Sequence, residues 1–599
     1  MAPVAGYRAH AHVMTPFERG RIQLYDVDLL GRADAPEPPS HTYREFATYQ
    51  MAVYSRGDMM YGMLRDIIGD SAFTAFLHDY YARWKFKHVD ELAMEASAER
   101  VSGRDLGWFF AQWVHHTGLV DYALTGVETR REEKEWVTRA HLARVGEFRH
   151  PMPVGAKTAS GWTIVRGDAK LDEQWVEIRT AERPTDVRVD PLHSTEDWDR
   201  RNDVHAVVPA FDPRATLYTF DWPFLAQSDR DRNLAAIGPK LWYTGPGGVT
   251  GAVRVRSSYA AENGVAWDQR ELGVALSSRV PIGAPGIEHL QGWVTLGNPG
   301  APVASRSSAG ATVGAWFLDG ITKFEAAQNW NFSPFLYSNG ADRRLRVAVD
   351  VTLPYDDRWI DSARWNPASV YDANAEYAWR SRRPGTLAAR VKGFAGVYRE
   401  NYSQQTHGFQ RIEGDVTHAG SFGAVSRLSH KLRFFAGASH NAPVQRSIGL
   451  ASLDATDTYT DDFLRGRNAL FARSDVNYLV PGGAGLRGYS PLLRVDRAAA
   501  LNGELAADVL RARAKSMVPA VQLVGFGDAA WGKLSGAADD RIFADAGVGI
   551  LVREQLWDRH VTVRFDVPLY VKDPLFSVGN NPGGDRVKFR WTFSFADLW

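Results

Sequence analysis

Of the 17 histidines in this 599-residue chain, none is followed by glutamate. The pattern H-E-x-x-H, which sets two imidazoles on one helix face with a glutamate as base for zinc chemistry, is therefore absent. His10 and His12 form a His-x-His pair in a segment without clear periodicity. His115-His116 ends a helical pattern, where cationic imidazoles complement the helix terminus. One or two imidazoles without a nearby carboxylate triad fall short of what zinc needs, so the expected metal-ligand set is empty. The chain has no cysteine, which removes disulfides and thiolate metal sites together. Met59, Met60 and Met63 read as core packing. A different chemistry is open to Arg487. It lies in a loop with Gly482, Gly483, Gly485 and Gly488, whose backbone is free to fold back on itself. A lone loop arginine is ordinarily a solvated charge. Carboxylates placed for bidentate contact would instead hold its guanidinium in a confined polar space.

The elements that must position these residues fall into two periods. Up to about Leu124 the pattern is helical. Met59/Met60, Met63/Leu64 and Ile67/Ile68 recur every four residues across Tyr54–Ile68, with Gly69 as a stop. Phe73, Phe76, Leu77 and Tyr80 mark a second helix. Asp105 is placed to cap a third, in which Leu106, Phe109, Phe110, Trp113 and Val114 share a face before Gly118. From Tyr122 to about Asp197, short alternating segments such as Trp162–Arg166 and Trp175–Arg179 predict a small β-sandwich.

After Asp199–Asp203 the period becomes two. Val561, Val563, Phe565, Val567 and Leu569 alternate with polar or smaller neighbours, and so do Val587, Phe589, Trp591, Phe593 and Phe595. No apolar run is long enough for a helical membrane span. Sustained alternation with 20 Trp, 22 Tyr, 29 Phe and 54 Gly predicts a closed transmembrane barrel over a large soluble β-domain. With 70 basic and 70 acidic residues, nothing asks for nucleic acid. The first twenty residues carry no apolar export signal, and the expectation is that an N-terminal part is missing.

Gly485-Leu486-Arg487-Gly488-Tyr489 resembles the Arg-Gly-aromatic motif of the bacterial surface antigen superfamily, the BamA and two-partner-secretion type barrels. The resemblance implies a long extracellular loop folded into the lumen, followed by five strands. Five candidates follow the motif: Ala498–Val509, Val518–Trp531, Phe543–Arg553, Val561–Tyr570 and Val587–Trp599. Eleven more fit between Leu241 and Val480, giving the family's sixteen. Asn502-Gly503-Glu504 and Gly525-Phe526-Gly527-Asp528 match positions whose acidic residues hold the loop arginine in that family. Leu501, Leu505 and Val509 fall on the opposite parity from Glu504, as an inward carboxylate requires. The resemblance thus implies an internal latch of Arg487, Gly488, Tyr489, Glu504 and Asp528.

In the first half, Tyr54-Ser55-Arg56-Gly57, Met63-Leu64, Phe73, Phe76, Tyr80, Phe86-Lys87-His88, Ser102-Gly103-Arg104-Asp105-Leu106 and Phe109-Phe110-Ala111-Gln112-Trp113 resemble the helical tail of the aminopeptidase N family of zinc peptidases. The resemblance spans roughly Tyr43 to Tyr122 and continues weakly to Val187-Arg188-Val189-Asp190-Pro191. It implies that Tyr54 is the oxyanion donor to a peptide carbonyl attacked by zinc-bound water. Arg56 stands in the lysine place of the family's Tyr-x-Lys-Gly. The family's H-E-x-x-H lies further upstream of this tyrosine than the 53 residues present here, so Tyr54 has no metal to act with inside this chain.

The expected architecture is a helical peptidase-tail domain (1–121), a β-sandwich and linker (122–203) and a sixteen-stranded antiparallel transmembrane barrel (204–599). The function implied is that of an outer-membrane-anchored portion of a zinc aminopeptidase-like protein. Zinc belongs to the intact family member, and no cofactor is expected in this chain. The expected partners are outer-membrane lipid, the barrel assembly machinery, and peptides or a missing N-terminal peptidase half. The expected location is the outer membrane of a Gram-negative bacterium, with the soluble domain in the periplasm. The rival reading is an assembly or translocation barrel whose periplasmic domain binds peptides without cleaving them. A passive porin-like barrel is a third reading, which the Arg487 constellation disfavours.

Overall fold

A computed structural model describes residues 16–29, 31–206, 216–221, 232–244, 247–258, 269–279, 289–304, 307–332, 342–359, 365–381, 386–423, 427–452, 479–510, 519–556, 559–578, 584–595 and 599. His10 and His12 lie outside them. The first half opens with α1 (Pro16–Leu29) and α2 (Phe46–Gln50), the latter started by a reciprocal Glu45/Thr48 capping box. A π-turn over Met51–Ser55 then leads into α3 (Arg56–Ile68). The helix expected from Tyr54 therefore begins two residues later, because Tyr54 and Ser55 belong to the widened turn. Gly69, at φ 85°, stops α3, and α4 (Asp70–Trp84) follows at once.

Next comes α5 (Glu91–Ser102), capped at its start by Asp90, whose carboxylate accepts from the Ala93 N–H at 3.0 Å, and ended by Gly103 in the left-handed region. The last helix is α6 (Gly107–His115). Its N-cap is Leu106 rather than Asp105; the Asp105 carboxylate instead accepts a 3.3 Å bond from the Gly107 N–H.

The sandwich is two three-stranded sheets. One contains Tyr122–Glu132, Glu135–Arg144 and Glu173–Thr180; the other contains Gly161–Arg166, Pro153–Thr158 and Asp186–Val189. Inward residues such as Leu142, Ile178, Val154 and Val189 join Met63, Leu64, Phe109 and Trp113 of the helices in a single buried cluster. Helices and sandwich thus share one core, because each presents an apolar face that only the other covers. Polar contacts pin the joint. Asp66 of α3 accepts from Arg166 at 2.6 and 2.8 Å and meets His150 Nε2 at 2.7 Å.

In the second half, long strands pair antiparallel with their neighbours in chain order, from Asn233–Thr244 to Arg559–Val571. Among them, Leu428–His440 pairs with Arg494–Leu510, which pairs with Ala520–Leu534, then Arg541–Leu556 and Arg559–Val571. A short strand, Thr216–Phe220, adds to Asn233–Thr244 in parallel. The final expected strand, Val587–Trp599, keeps its ladder only over Thr592–Ser594, with isolated contacts from Val587 and Lys588. Between these stretches the inward-facing Arg590 donates to the Asp585 carbonyl at 2.6 Å.

This sheet inverts the soluble pattern. Along Arg494–Leu510, Leu501, Leu505 and Val509 are exposed while Asn502 and Glu504 are buried. Along Arg559–Val571, Val563, Phe565 and Leu569 are exposed while Arg564 and Asp566 are buried. No helix among the described residues is long and apolar enough to cross a membrane.

Candidate functional site

The glycine-rich loop turns into the concave side of the sheet. Gly483 and Gly485 have φ of 62° and 76°, a region costly for any residue with a side chain. Gly488 is required by space: a Cβ there would come within 2.7 Å of Asp545 and Val571 side-chain atoms. This close approach delivers Arg487 to its partners. Its Nε and Nη2 donate to the two oxygens of Asp528 at 2.9 and 3.0 Å, the bidentate geometry that arginine favours. Nη1 donates to Glu504 at 2.8 Å. The guanidinium lies 4.0 Å from the ring centroid of Phe526 and is fully buried. Tyr489 is also buried, and its hydroxyl both donates to the carbonyl of Ala544 and accepts from its N–H, at 3.2 and 3.1 Å.

The structure therefore brings Arg487, Gly488, Tyr489, Glu504 and Asp528 to one place, together with Asn502 of the matched segment and with residues outside it. Asn502 donates to Asp528 at 3.1 Å and to the loop carbonyls of Ala484 and Gly485 at 3.2 and 3.3 Å. Arg564 pairs with Glu504 at 2.7 Å and with Asp566 at 2.6 Å. Asp545 is the cross-strand partner of Asp528 and is likewise buried. The alternation around Phe565 marks Arg564 and Asp566 as inward, but parity alone does not say which loop they meet.

Trp599 belongs here too. Its ring lies 5.7 Å from the Arg487 guanidinium and 4.7 Å from the Lys431 ammonium, not in the outward row with Phe589 and Phe595.

Tyr54 lies apart, on the π-turn of the helical half, and is 65% exposed. Its ring edge meets Tyr49 at 6.4 Å, and Tyr49 in turn contacts Phe46 and Tyr43. Arg56 points the other way. It is buried, donates to Asp28 at 2.5 Å and to the Gly118 carbonyl at 3.2 Å, and so ties α1 and α3 to the start of the sandwich. Burial pushes the Asp28 carboxyl up to about 6, against the pull of Arg56 and the Gly118 N–H. An arginine held this way cannot serve a substrate. Met59, Met60 and Met63 pack in the core, and His115 pairs with Glu37 at 2.7 Å. Among the described residues no group of three or more histidine, aspartate or glutamate side chains is placed to hold a metal.

Comparison with known proteins locates one family. Residues 36–113 match the Peptidase family M1 domain. The structure is similar to aminopeptidase A of Legionella pneumophila in complex with aspartic acid, at 19% identity and a TM-score of 0.23, over 30% of this chain and 21% of that one. This chain therefore spans about a fifth of that aminopeptidase's length. It is also similar to CdiB from Escherichia coli (11% identity, TM-score 0.34, 59% of this chain and 62% of that one). A third likeness is to BamA from Haemophilus ducreyi lacking POTRA domains 1–3 (11% identity, TM-score 0.32, 87% and 97%). No curated protein matches the chain. Residues 36–113 thus match part of the Peptidase family M1 domain, and the second half of the same chain is a large sheet of mostly antiparallel strands.

Proposed function

We propose that the second half is a closed, sixteen-stranded outer-membrane barrel that anchors a peptidase-family tail in the periplasm. Peptide hydrolysis would then belong to the assembly formed with a metal-bearing part supplied outside this chain. The observation that carries the anchoring is the inversion of the sheet: large apolar side chains on its outer face, and a buried Arg487–Asp528–Glu504 cluster on its inner one. An apolar solvent on the outside accounts for that arrangement, since buried charges persist only when paired and backbone groups in lipid must be satisfied within a closed sheet. Closure is supported by the strand order, which leads from the last strand back to the first. The number is supported by eleven long strands between Asn233 and His440, four long strands after Arg487 and the three-residue Thr592–Ser594 among the described residues, apart from the short parallel addition Thr216–Phe220.

The catalytic side rests on Tyr54. In a working site an oxyanion donor contributes about 10²–10³ in rate, but only where a metal has activated the attacking water. The purified chain is therefore expected to bind no stoichiometric zinc and to cleave no aminoacyl reporter. One equivalent of zinc, with turnover lost in Tyr54→Phe, would overturn this. The rival reading, a domain that only binds peptides, is favoured by the exposed rings of Phe46 and Tyr54 with half-buried Tyr49 between them. Saturable peptide binding lost in Phe46→Ala, with no partner chain restoring turnover, would select it.

A further inference from the structure

The connection between Leu428–His440 and Arg494–Leu510 dips into the concave side of the sheet twice. Its second dip carries Arg487. Its first, Pro443–Ser452, carries Arg446, which is as deeply buried. Arg446 Nε and Nη2 both donate to Asp372 Oδ2, at 2.8 and 2.5 Å, and the Asp372 side chain is fully enclosed. Around this pair the first dip is held by its own backbone. Arg411 donates to the Arg446 carbonyl at 3.0 Å. The Val444 N–H donates to Asn366 at 2.6 Å, and Gln445 accepts from the Asn366 N–H at 2.9 Å.

Both dips are joined to each other. The Ala484 N–H donates to the Gly449 carbonyl at 2.9 Å and the Leu486 N–H to the Leu450 carbonyl at 3.2 Å. Asp372 sits on Ala368–Ser381 and Asp528 on Ala520–Leu534, with four long strands between them in the sheet. The connection is thus tied to two well-separated positions on the wall. Its described parts, 441–452 and 479–493, are held at two places rather than hinged at one.

We propose that Arg446 is a second anchor, a positioning residue that acts with Arg487 to hold this connection inside the barrel. The proposal rests on the barrel reading above. Two charged anchors on one covalent segment act together: while either holds, the other's loss leaves the released end tethered nearby and able to rebind. Each single substitution should therefore loosen the segment partly, and the double substitution far more than the two together. Lysine at 446 would keep one charged contact while losing the fork in which two nitrogens meet one oxygen, so it should fall between arginine and alanine.

The absence of native cysteine allows a direct reading. Ser452 is buried within the folded-in segment. In the full chain carrying Ser452→Cys, folded into lipid, the rate of modification by a membrane-impermeant maleimide reports release of the segment. We expect about a tenfold faster reaction in Arg446→Ala, a few-fold in Arg446→Lys, and a more than multiplicative rise in Arg446→Ala/Arg487→Ala. The exchanged pair Arg446→Asp/Asp372→Arg should return the rate toward that of the parent. An unchanged rate in Arg446→Ala, or a double variant no faster than Arg487→Ala alone, overturns the second anchor. If Arg446→Ala never reaches the heat-modifiable form on gels, Arg446→Lys decides by the same criterion. Absence of that form in every variant, the parent included, would overturn the barrel reading and the anchor with it.

Discussion

Arg564 meets Glu504 Oε1 at 2.7 Å, the same oxygen that Arg487 reaches at 2.8 Å. One carboxylate oxygen therefore serves two guanidinium groups from different parts of the chain, and the two acidic partners of Arg487 are unequal. Without Arg487, Glu504 keeps the cationic Arg564, whereas Asp528 keeps the neutral Asn502 amide and its neighbour Asp545, with no second cation paired to it among the described residues.

Arg487→Ala should accordingly destabilise the barrel by about 3 kcal/mol, near the lower end of what removing one partner of a buried pair costs. Most of that loss falls on Asp528. Asp528→Asn should restore more stability to Arg487→Ala than Glu504→Gln does, as read from thermal unfolding monitored by gel mobility. Equal rescue by the two would contradict the asymmetry.

Deleting Phe593–Trp599 removes the last ladder, the Phe593 carbonyl that accepts from the Leu479 N–H at 2.9 Å, and the Trp599 ring beside Arg487. On the proposed membrane barrel, the deleted chain should fail to assemble, because an open edge leaves backbone groups unpaired in lipid at several kcal/mol each. Trp599→Ala should still assemble but melt lower, losing roughly 0.5–2 kcal/mol, the range of a cation–π contact. Normal heat-modifiable folding of the deletion would show that the last strand is misplaced.

The soluble half should lose stability as pH rises. Burial pushes Asp28 up to about 6 and Asp121 up to about 7, and Asp197 and Asp203 also go up, through burial and then through the charge of Asp121 at Asp197 and of Asp197 at Asp203. Around Asp121 the Asn202 amide and Arg201 pull down, while Asp199 and Glu147 push up; Arg200 opposes the rise at Asp197 and Asp203. A carboxyl whose folded value lies above its unfolded one stabilises below the unfolded value and loses that contribution as pH climbs through the folded one. The window runs from about pH 4, the ordinary carboxylate range, to about 7. Asp28 alone accounts for on the order of 3 kcal/mol across it. Asp66 runs the other way. Burial would raise it, but hydrogen bonds from Arg166 and His150 outweigh burial and hold it well below the usual range, so its contribution fails only in strong acid. Hydrogen exchange over residues 16–204 should quicken from pH 5 to 7.5, after correction for intrinsic rates, and less so in Asp121→Asn.

Asp66→Ala should cost about 2–3 kcal/mol, the range for a hydrogen bond to a charged group. The loss would leave His150 buried without its partner and free Arg166 from α3. Exchange should rise where α3 meets His150 and Gly161–Arg166 and leave the strands of the second half unchanged. A uniform rise would mean that Asp66 acts on global stability instead of on this joint.

What could be read in advance follows from what is local. The parity of Glu504 is legible because pleating fixes a period of two, so Leu501, Leu505 and Val509 settle which way the carboxylate faces. The glycine loop and the two acidic strands are legible as a set only through the resemblance of their motifs to the surface-antigen barrels. Arg446, Arg564 and Asp545 are not, because each acquires its role from a partner many residues away that no spacing encodes. Trp599 reads as one more aromatic of an outward row because it shares the parity of Phe589 and Phe595, and its place beside Arg487 and Lys431 is not encoded in that parity. The π-turn at Met51–Ser55 is hidden because one widened turn leaves the four-residue apolar spacing after it intact.

The single core shared by helices and sandwich sets a limit on how the first half can be divided. Residues 36–113 are the stretch a family match would mark for excision, yet Met63, Phe109 and Trp113 within it are covered by Leu142, Val154 and Ile178 outside it. A gene cut at the match boundary would release a fragment with its apolar face bare, prone to aggregate and not to melt in one sharp transition. Calorimetry on residues 16–204 should instead show one cooperative peak. In evolutionary terms, the helices and the two small sheets had to be inherited or lost together.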